Sequence, residues 1–248
     1  GEYHVTAVYS EAESAASNKV YYVGKNASDK PAANISKGGF TIPNVFGANY
    51  EKATIEFWIR PHSLLNWNQT AGNWGTWMMH ANSNGAFTVG WDTQNRAETP
   101  GGTLAVNDWQ HICIAVDGRS LTVYVNGVGS AYATSSSYSG LGGFGDLTFN
   151  AGSGNSYFDA DIAEFRIWKR AFTQKEAKDY YKSILSNACI TKDRLAYYHG
   201  DIIEIDGAPY LRDCAGGNHA PIASCGLETS VIKETTLSNT TVRTSTKA

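Results

Sequence analysis

The sequence predicts an all-β chain built as a sandwich of two antiparallel sheets, and three observations carry that prediction. First, the run WQHICIAVDGRSLTVYVNG, Trp109 to Gly127, puts Gln110, Ile112, Ile114 and Val116 on one face of a strand and Trp109, His111, Cys113 and Ala115 on the other. Both faces are largely apolar, which places this strand in the middle of a sheet. Asp117-Gly118 turns the chain, Leu121, Val123 and Val125 resume the alternation, and Asn126-Gly127 supplies the positive φ of a second hairpin turn. Second, 248 residues hold 25 Gly, 14 Tyr and 7 Trp with 17% charged residues, a turn-rich and aromatic composition in which helix formers are sparse. Third, short alternating segments recur at even spacing with turn residues between them.

The elements follow in order. The first forty residues are polar around a short strand candidate, Lys19 to Val23. ATIEFWIRP, Ala53 to Pro61, is a strand with Ile55, Phe57 and Ile59 on one face, ended by Pro61, which has no donor for the ladder. SLLNWNQTAGNWG is a loop dense in Asn, Gly and Trp, and strands TWMMHA and AFTVGW flank the Asn84-Gly85 turn. After the Trp109 hairpin come a glycine-serine loop, SSSYSGLGGFG, strand DLTFNAG, and strand DADIAEFRIW with Ala163, Phe165 and Ile167 facing inward. The period then changes: Thr173 and Glu176 form a capping box that opens one short amphipathic helix near residues 173–185. DIIEIDGAPYL is a hairpin on Asp206-Gly207, and the tail ETTLSNTTVRTSTKA is either a terminal strand or disordered.

The chain's length suits one large sandwich. A net charge of −3 without a Lys/Arg cluster speaks against nucleic acid and anionic membranes as partners. No apolar run reaches the ~20 residues of a membrane-spanning helix. GEYHVTAVYS lacks the features of a signal peptide, and Gly1 in place of Met reads as a processed start, so the expected setting is extracytoplasmic with the signal peptide removed. Additional domains are expected in the full-length protein. Cys113, inside the apolar strand, reads as a buried core thiol. Cys189, Cys214 and Cys225 lie together in the last quarter, where an oxidising compartment would allow a disulfide such as Cys214 to Cys225, the pairing itself being open.

Four segments, TIEFWIRP, WQHICIAVDGRSLTVYVNG, YFDADIAEFRIW and RAFTQKE, resemble in order and spacing the laminin-G-like branch of the concanavalin A-like lectin/glucanase superfamily, over roughly Gly39 to Tyr181. The resemblance implies a jelly-roll sandwich over residues 1–186. Residues 187–248 are expected to form a small C-terminal extension, with a hairpin and the Thr/Ser-rich tail, packed on the sandwich. Within it, Leu195 to Ala220 looks like an element that often precedes such a domain, and secreted Bacteroides-type members carry appendages of this sort. The resemblance also raises a structural calcium, with Asp159 and Asp161 as candidate donors; no cofactor is expected to be required.

The hydrolase arm of that superfamily works through paired carboxylates. Its E-x-D-x-x-E pattern finds only Glu204 and Asp206, in the hairpin turn, with Pro209 at the third position. Asp161 and Glu164 fall on opposite strand faces by strict alternation, and Glu164 pairs with Arg166 as an exposed ion pair. Gly140, Gly142 and Gly145 spell GxGxxG but precede a strand, so they are read as a loop and not as a phosphate cradle. No catalytic residue is assigned. A sugar needs an aromatic surface for its C–H face with amides and carboxylates for its hydroxyls. Trp67, Asn68, Asn73, Trp74, Trp91 and Asp92 offer this mixture. The expected function is therefore a non-catalytic carbohydrate-binding or adhesion module, against a glycoside hydrolase of the same fold or a protein-interaction domain.

Overall fold

The computed structural model describes residues 8–9, 12–13, 30–35, 39–65, 68–73, 76–149, 159–181, 193–200, 202–215, 217–222 and 226–232. The first strands are β1 (Val8–Tyr9), β2 (Ala12–Glu13), β3 (Lys30–Ile35), β4 (Thr41–Phe46) and β5 (Asn49–Tyr50). Next come β6 (Lys52–Pro61), β7 (Asn68–Asn73), β8 (Trp77–Ala81), β9 (Phe87–Gly90) and β10 (Arg96–Glu98). The expected hairpin is β11 (Gln110–Asp117) with β12 (Ser120–Val125), and β13 (Val128–Thr134) extends it into a meander. Asn126 and Gly127 both have positive φ, 51° and 76°, as the tight turn between β12 and β13 requires. β14 (Leu141–Gly142), β15 (Gly145–Phe149) and β16 (Ala160–Trp168) precede helix α1 (Gln174–Tyr180). β17 (Arg194–Tyr198), β18 (Ile202–Ile205), β19 (Ala208–Leu211), β20 (Ala220–Pro221) and β21 (Gly226–Ile232) complete the order.

Among the described residues, β10-β9-β8-β7-β15-β4 form a six-stranded antiparallel sheet. The second sheet runs β13-β12-β11-β6-β16-β3-β21, with β17 also paired to β16. Their facing sides meet in one core: Ile55, Phe57 and Ile59 of β6 and Ile112, Ile114 and Val116 of β11 pack against Trp77, Met79, Phe87, Val89, Leu147 and Phe149. Phe57 bridges the sheets, its ring 6.3 Å from that of Phe87 and 6.4 Å from that of Phe149. This is the expected two-sheet sandwich. β11 lies between β12 and β6, and both of its faces are apolar because Ile112, Ile114 and Val116 face the core between the sheets while Cys113 and Ala115 face the cluster under the helix.

The helix is capped as its sequence demands. Thr173 accepts from the Glu176 N–H while the Glu176 side chain accepts from the Thr173 N–H. The described helix ends at Tyr180, and residues 182–185 lie outside the described residues. Helix and sheet together enclose a second cluster of Cys113, Ala115, Tyr124, Trp168, Phe172 and Ala177 on the outer side of the larger sheet. Cys113 is a buried free thiol, as expected.

Three expectations change. Residues 68–73 form strand β7 between β8 and β15, not a loop. Backbone ladders need no side-chain period, and NQTAGN shows none, so its sequence conceals the strand. Ala163 belongs not to the main core but to the outer face with Trp58. The pairing of β16 with β6 shifts register between Ala163 and Arg166, and Glu164 takes φ 52°. That bulge inserts one residue and inverts the alternation, so Ala160 and Ile162 face the core before it and Phe165 and Ile167 after it. Finally, β17 and β21 are strands of the larger sheet, so the 187–248 segment contributes to the sandwich itself as well as to the β18-β19-β20 sheet. Asp213 ties the two parts together by accepting from the N–H groups of Tyr197, Ala215 and Asn218. Lys19 to Val23 and the tail 234–248 lie outside the described residues.

Candidate binding cleft

At one end of the sandwich, the turn after β9, the segment between β4 and β6, and the loop from Ser135 to Gly145 enclose a cleft of about 380 Å³. Asn49, Thr76, Trp91, Ser137, Tyr138, Ser139, Gly140, Gly142 and Phe144 line it. Such a volume suits a small ligand or one unit of a polymer.

The loop's backbone is held by side chains, one from the loop and two from neighbouring segments. The Ser135 hydroxyl accepts from the N–H groups of Ser137 and Tyr138 at 3.0 and 2.9 Å. The Ser139 carbonyl accepts from Asn49 Nδ2 at 3.0 Å, and the Gly140 carbonyl accepts from Trp91 Nε1 at 2.8 Å. Gly142 has φ 134°, and a Cβ there would overlap the Ala48 carbonyl oxygen, so only glycine lets β14 approach β5 this closely. Trp91 is 4% exposed and lies at the bottom of this arrangement. The Tyr138 ring lies parallel to it, 6.2 Å between centroids and 1° between planes. Asp92 closes the turn: Oδ1 accepts from the N–H groups of Gln94 and Asn95 at 2.8 and 2.7 Å. Those backbone bonds, with that of Asn95 the largest effect, hold its carboxyl below the usual range. The carboxylate faces the Tyr138 hydroxyl and pushes that phenol's pKa up.

The six residues expected to bind sugar divide among different places. Trp91 and Asp92 are at the cleft, Trp91 as its base. Trp67 and Trp74 lie outside the described residues. Asn73 opposes Trp77 and Asn68 opposes Ala81, at the two ends of β7, about 17 Å apart at strand rise. Asn73 is on the cleft's end of the sheet and Asn68 is not. Tyr138, Asn49, Ser137 and Ser139 were not foreseen. The serine-rich SSSYSG stretch around Tyr138 was the available signal, but Asn49 joins it only through the β5–β14 pairing.

The outer face of the larger sheet carries charged groups instead. Asp161 is buried and pairs with Arg60 and with His62 Nε2 at 3.0 Å, and His62 Nδ1 meets Asp159 Oδ1 at 2.9 Å. Burial alone would lower the His62 pKa, but its hydrogen bonds to Asp161 and Asp159 outweigh that and raise it. Calcium takes six to eight oxygen ligands. As placed, Asp159 Oδ1 meets the His62 imidazole and Asp161 Oδ2 meets both that imidazole and the Arg60 guanidinium, so one oxygen of each candidate donor is already turned to a cationic side chain.

Farther along that face, Arg166 Nη1 lies 3.3 Å from Glu56 Oε1 and Nη2 lies 2.6 Å from Glu164 Oε2. Trp168 Nε1 donates to Glu56 at 2.9 Å, Tyr197 donates its hydroxyl to Glu164, and His199 Nδ1 meets Glu164 Oε1 at 2.7 Å. The Glu164–Arg166 pair is thus present but buried, not exposed, and the bulge puts Asp161 and Glu164 on the same face. Burial would raise both glutamate pKa values, yet their partners lower them, with Arg166 the main one for Glu56 and His199 for Glu164. A glycosidase acid pair needs one protonated carboxyl and access for the sugar. Glu56 and Glu164 are enclosed, and both are held below the usual carboxylate range by their partners, which is not the arrangement such a pair needs. Glu204, the other acid considered, is an exposed residue of the β18–β19 hairpin.

Comparison with known proteins places this architecture in a family. Residues 33–178 match a laminin-G-type family model described as the concanavalin A-like lectin/glucanases superfamily. The chain belongs to that superfamily. It is similar in fold to a protein of Bacteroides ovatus named as a candidate carbohydrate binding protein, with a TM-score of 0.65 and 18% identity. The match covers 81% of this chain and 60% of that one, so this chain spans three-fifths of that protein's length. Domain 4 of an extracellular arabinanase from Geobacillus stearothermophilus, in complex with arabinotriose, gives a TM-score of 0.47 at 17% identity, over 62% of this chain and 82% of that one. Curated protein sequences give no match. Among the described residues no helix is long and apolar enough to cross a membrane.

Proposed function

We propose that the chain is a non-catalytic carbohydrate-binding or adhesion module acting outside the cytoplasm, with a glycan seated in the cleft of Asn49, Ser137, Tyr138 and Ser139 and with Trp67 and Trp74 as further glycan contacts. The observation that carries this reading is the half-buried Tyr138 ring. It is fixed parallel to Trp91 on one side, opposite the Asp92 carboxylate at its hydroxyl, and flanked by two serines and an amide. An immobilised ring covers the apolar side of a pyranose, and the surrounding hydroxyls and amide take its hydroxyl groups, at little ordering cost because the loop is already fixed. The lectin-like sandwich and the neighbour of similar fold named as a candidate carbohydrate binding protein favour the same reading.

A glycan array followed by titration calorimetry tests it. Tyr138→Ala should weaken the best ligand about tenfold with the chain still folded, as its thermal unfolding transition reports, and the double variant Trp67→Ala, Trp74→Ala should weaken it as well. Unchanged affinity in both variants refutes the placement. Release of reducing sugar from bound polysaccharide would refute the non-catalytic part.

A further inference from the structure

We propose that the cleft selects uncharged sugars and rejects acidic ones, with Asp92 as the specificity-determining residue; this rests on the carbohydrate reading of the same cleft. The lining consists of hydroxyls, one amide, backbone and aromatic rings, and among the described residues none that lines it is Lys, Arg or His. Arg96 and Arg119 are near these segments in sequence but do not line the cleft. Arg119 holds the Ser136 carbonyl.

Asp92 stands beside this neutral lining and is fixed there. Its Oδ1 accepts from two backbone N–H groups, and both of its oxygens accept from Asn95 Nδ2 at 3.0 Å. Asp92 also accepts from the Tyr138 hydroxyl, so what it presents to the cleft is its negative charge, held in place by these bonds. A neutral pyranose brings no charge against that carboxylate, and its hydroxyls meet the serines and the amide of the lining. A uronic or sialic acid would bring a second carboxylate, which donates nothing and finds no cation among the described lining residues. Two like charges about 6 Å apart at a partly hydrated surface cost about tenfold in affinity, and salt reduces that cost.

The test uses matched ligands, so that charge alone differs: galactose-based against galacturonate-based oligosaccharides and glucose-based against glucuronate-based ones, titrated into the full chain. The native protein should bind the neutral member of a matched pair at least about tenfold more tightly, and that ratio should narrow when salt rises from about 50 to 300 mM. Asp92→Asn keeps an oxygen acceptor for the turn and removes the charge. It should bring the ratio to about threefold or less and abolish its salt dependence. Because the salt titration uses the native chain, the inference stays testable if the variant does not fold. Acidic oligosaccharides binding as well as neutral ones, or a salt-independent ratio, overturns the selectivity and leaves the carbohydrate reading intact. Binding to no member of either series removes both.

Discussion

Replacing Arg166 by Met should be among the most damaging single changes in this chain, and the structure says why. The guanidinium is 1% exposed and spans two buried carboxylates, Glu56 at 3.3 Å and Glu164 at 2.6 Å. Glu164 would retain His199 and Tyr197. Glu56 would lose its principal counter-charge and keep Trp168 Nε1 and the ring of His111, whose own pKa burial depresses. Removing one partner of a buried pair leaves the other uncompensated and costs about 3–5 kcal/mol. At about 2–4 °C per kcal/mol for a chain of this size, the melting temperature should fall by roughly 6–20 °C. The pH dependence should also reverse. In the native protein the Glu56 pKa is lowered, so its contribution is present above the unfolded value near 4.5 and is lost as pH falls through the depressed value. Without Arg166, burial dominates and raises that pKa, so the variant should lose stability as pH rises from about 4.5 through the raised value. The double variant Glu56→Gln, Arg166→Met removes both charges and should recover most of the loss. Urea unfolding at pH 5 and pH 7, followed by tryptophan fluorescence, measures all three. A loss below about 1 kcal/mol in the single variant, or a double variant as unstable as the single, would refute the reasoning.

Three further outcomes follow from other parts of the molecule. His62, with its pKa raised by Asp159 and Asp161, contributes stability that is present below its unfolded pKa near 6.5 and is lost as pH rises through the higher folded value. Urea midpoints between pH 5.5 and 8.5 should decline over that window in the native protein and not in His62→Gln. Gly142→Ala should cost about 2 kcal/mol, through an unfavourable φ of 134° and the overlap with Ala48, and should abolish glycan binding by displacing the cleft's floor; calorimetry and thermal unfolding check both. The Cys113 thiol is enclosed, and burial pushes its pKa well up, so Ellman's reagent should reach it only in denaturant. We also propose a Cys214–Cys225 disulfide, which peptide mapping without reductant would detect after oxidative refolding and whose absence would refute it.

The sequence by itself determined the layers. Period-two alternation in Ala53 to Pro61 and Trp109 to Val125, positive-φ turn pairs and the Thr173–Glu176 box are local signals, each decided by a residue's own conformational preference or by neighbours a few positions away. The resemblance carried by four such segments therefore named the superfamily correctly. What escaped depended on partners far along the chain. β7 exists because β8 and β15 offer it ladders, although its side chains advertise nothing. The bulge at Glu164 reverses the parity of β16, so alternation put Ala163 on the wrong side, and the Glu164–Arg166 pair is buried because Tyr180, Tyr197 and His199, distant in sequence, cover that outer face. The cleft joins Asn49, Trp91 and Tyr138, spread over ninety positions, because β5 pairs with β14 and Trp91 reaches the Gly140 carbonyl. Sequence could name the residue types a sugar needs; only tertiary packing decided which of them stand together, since side chains converge through strand order and register and not through distance along the chain.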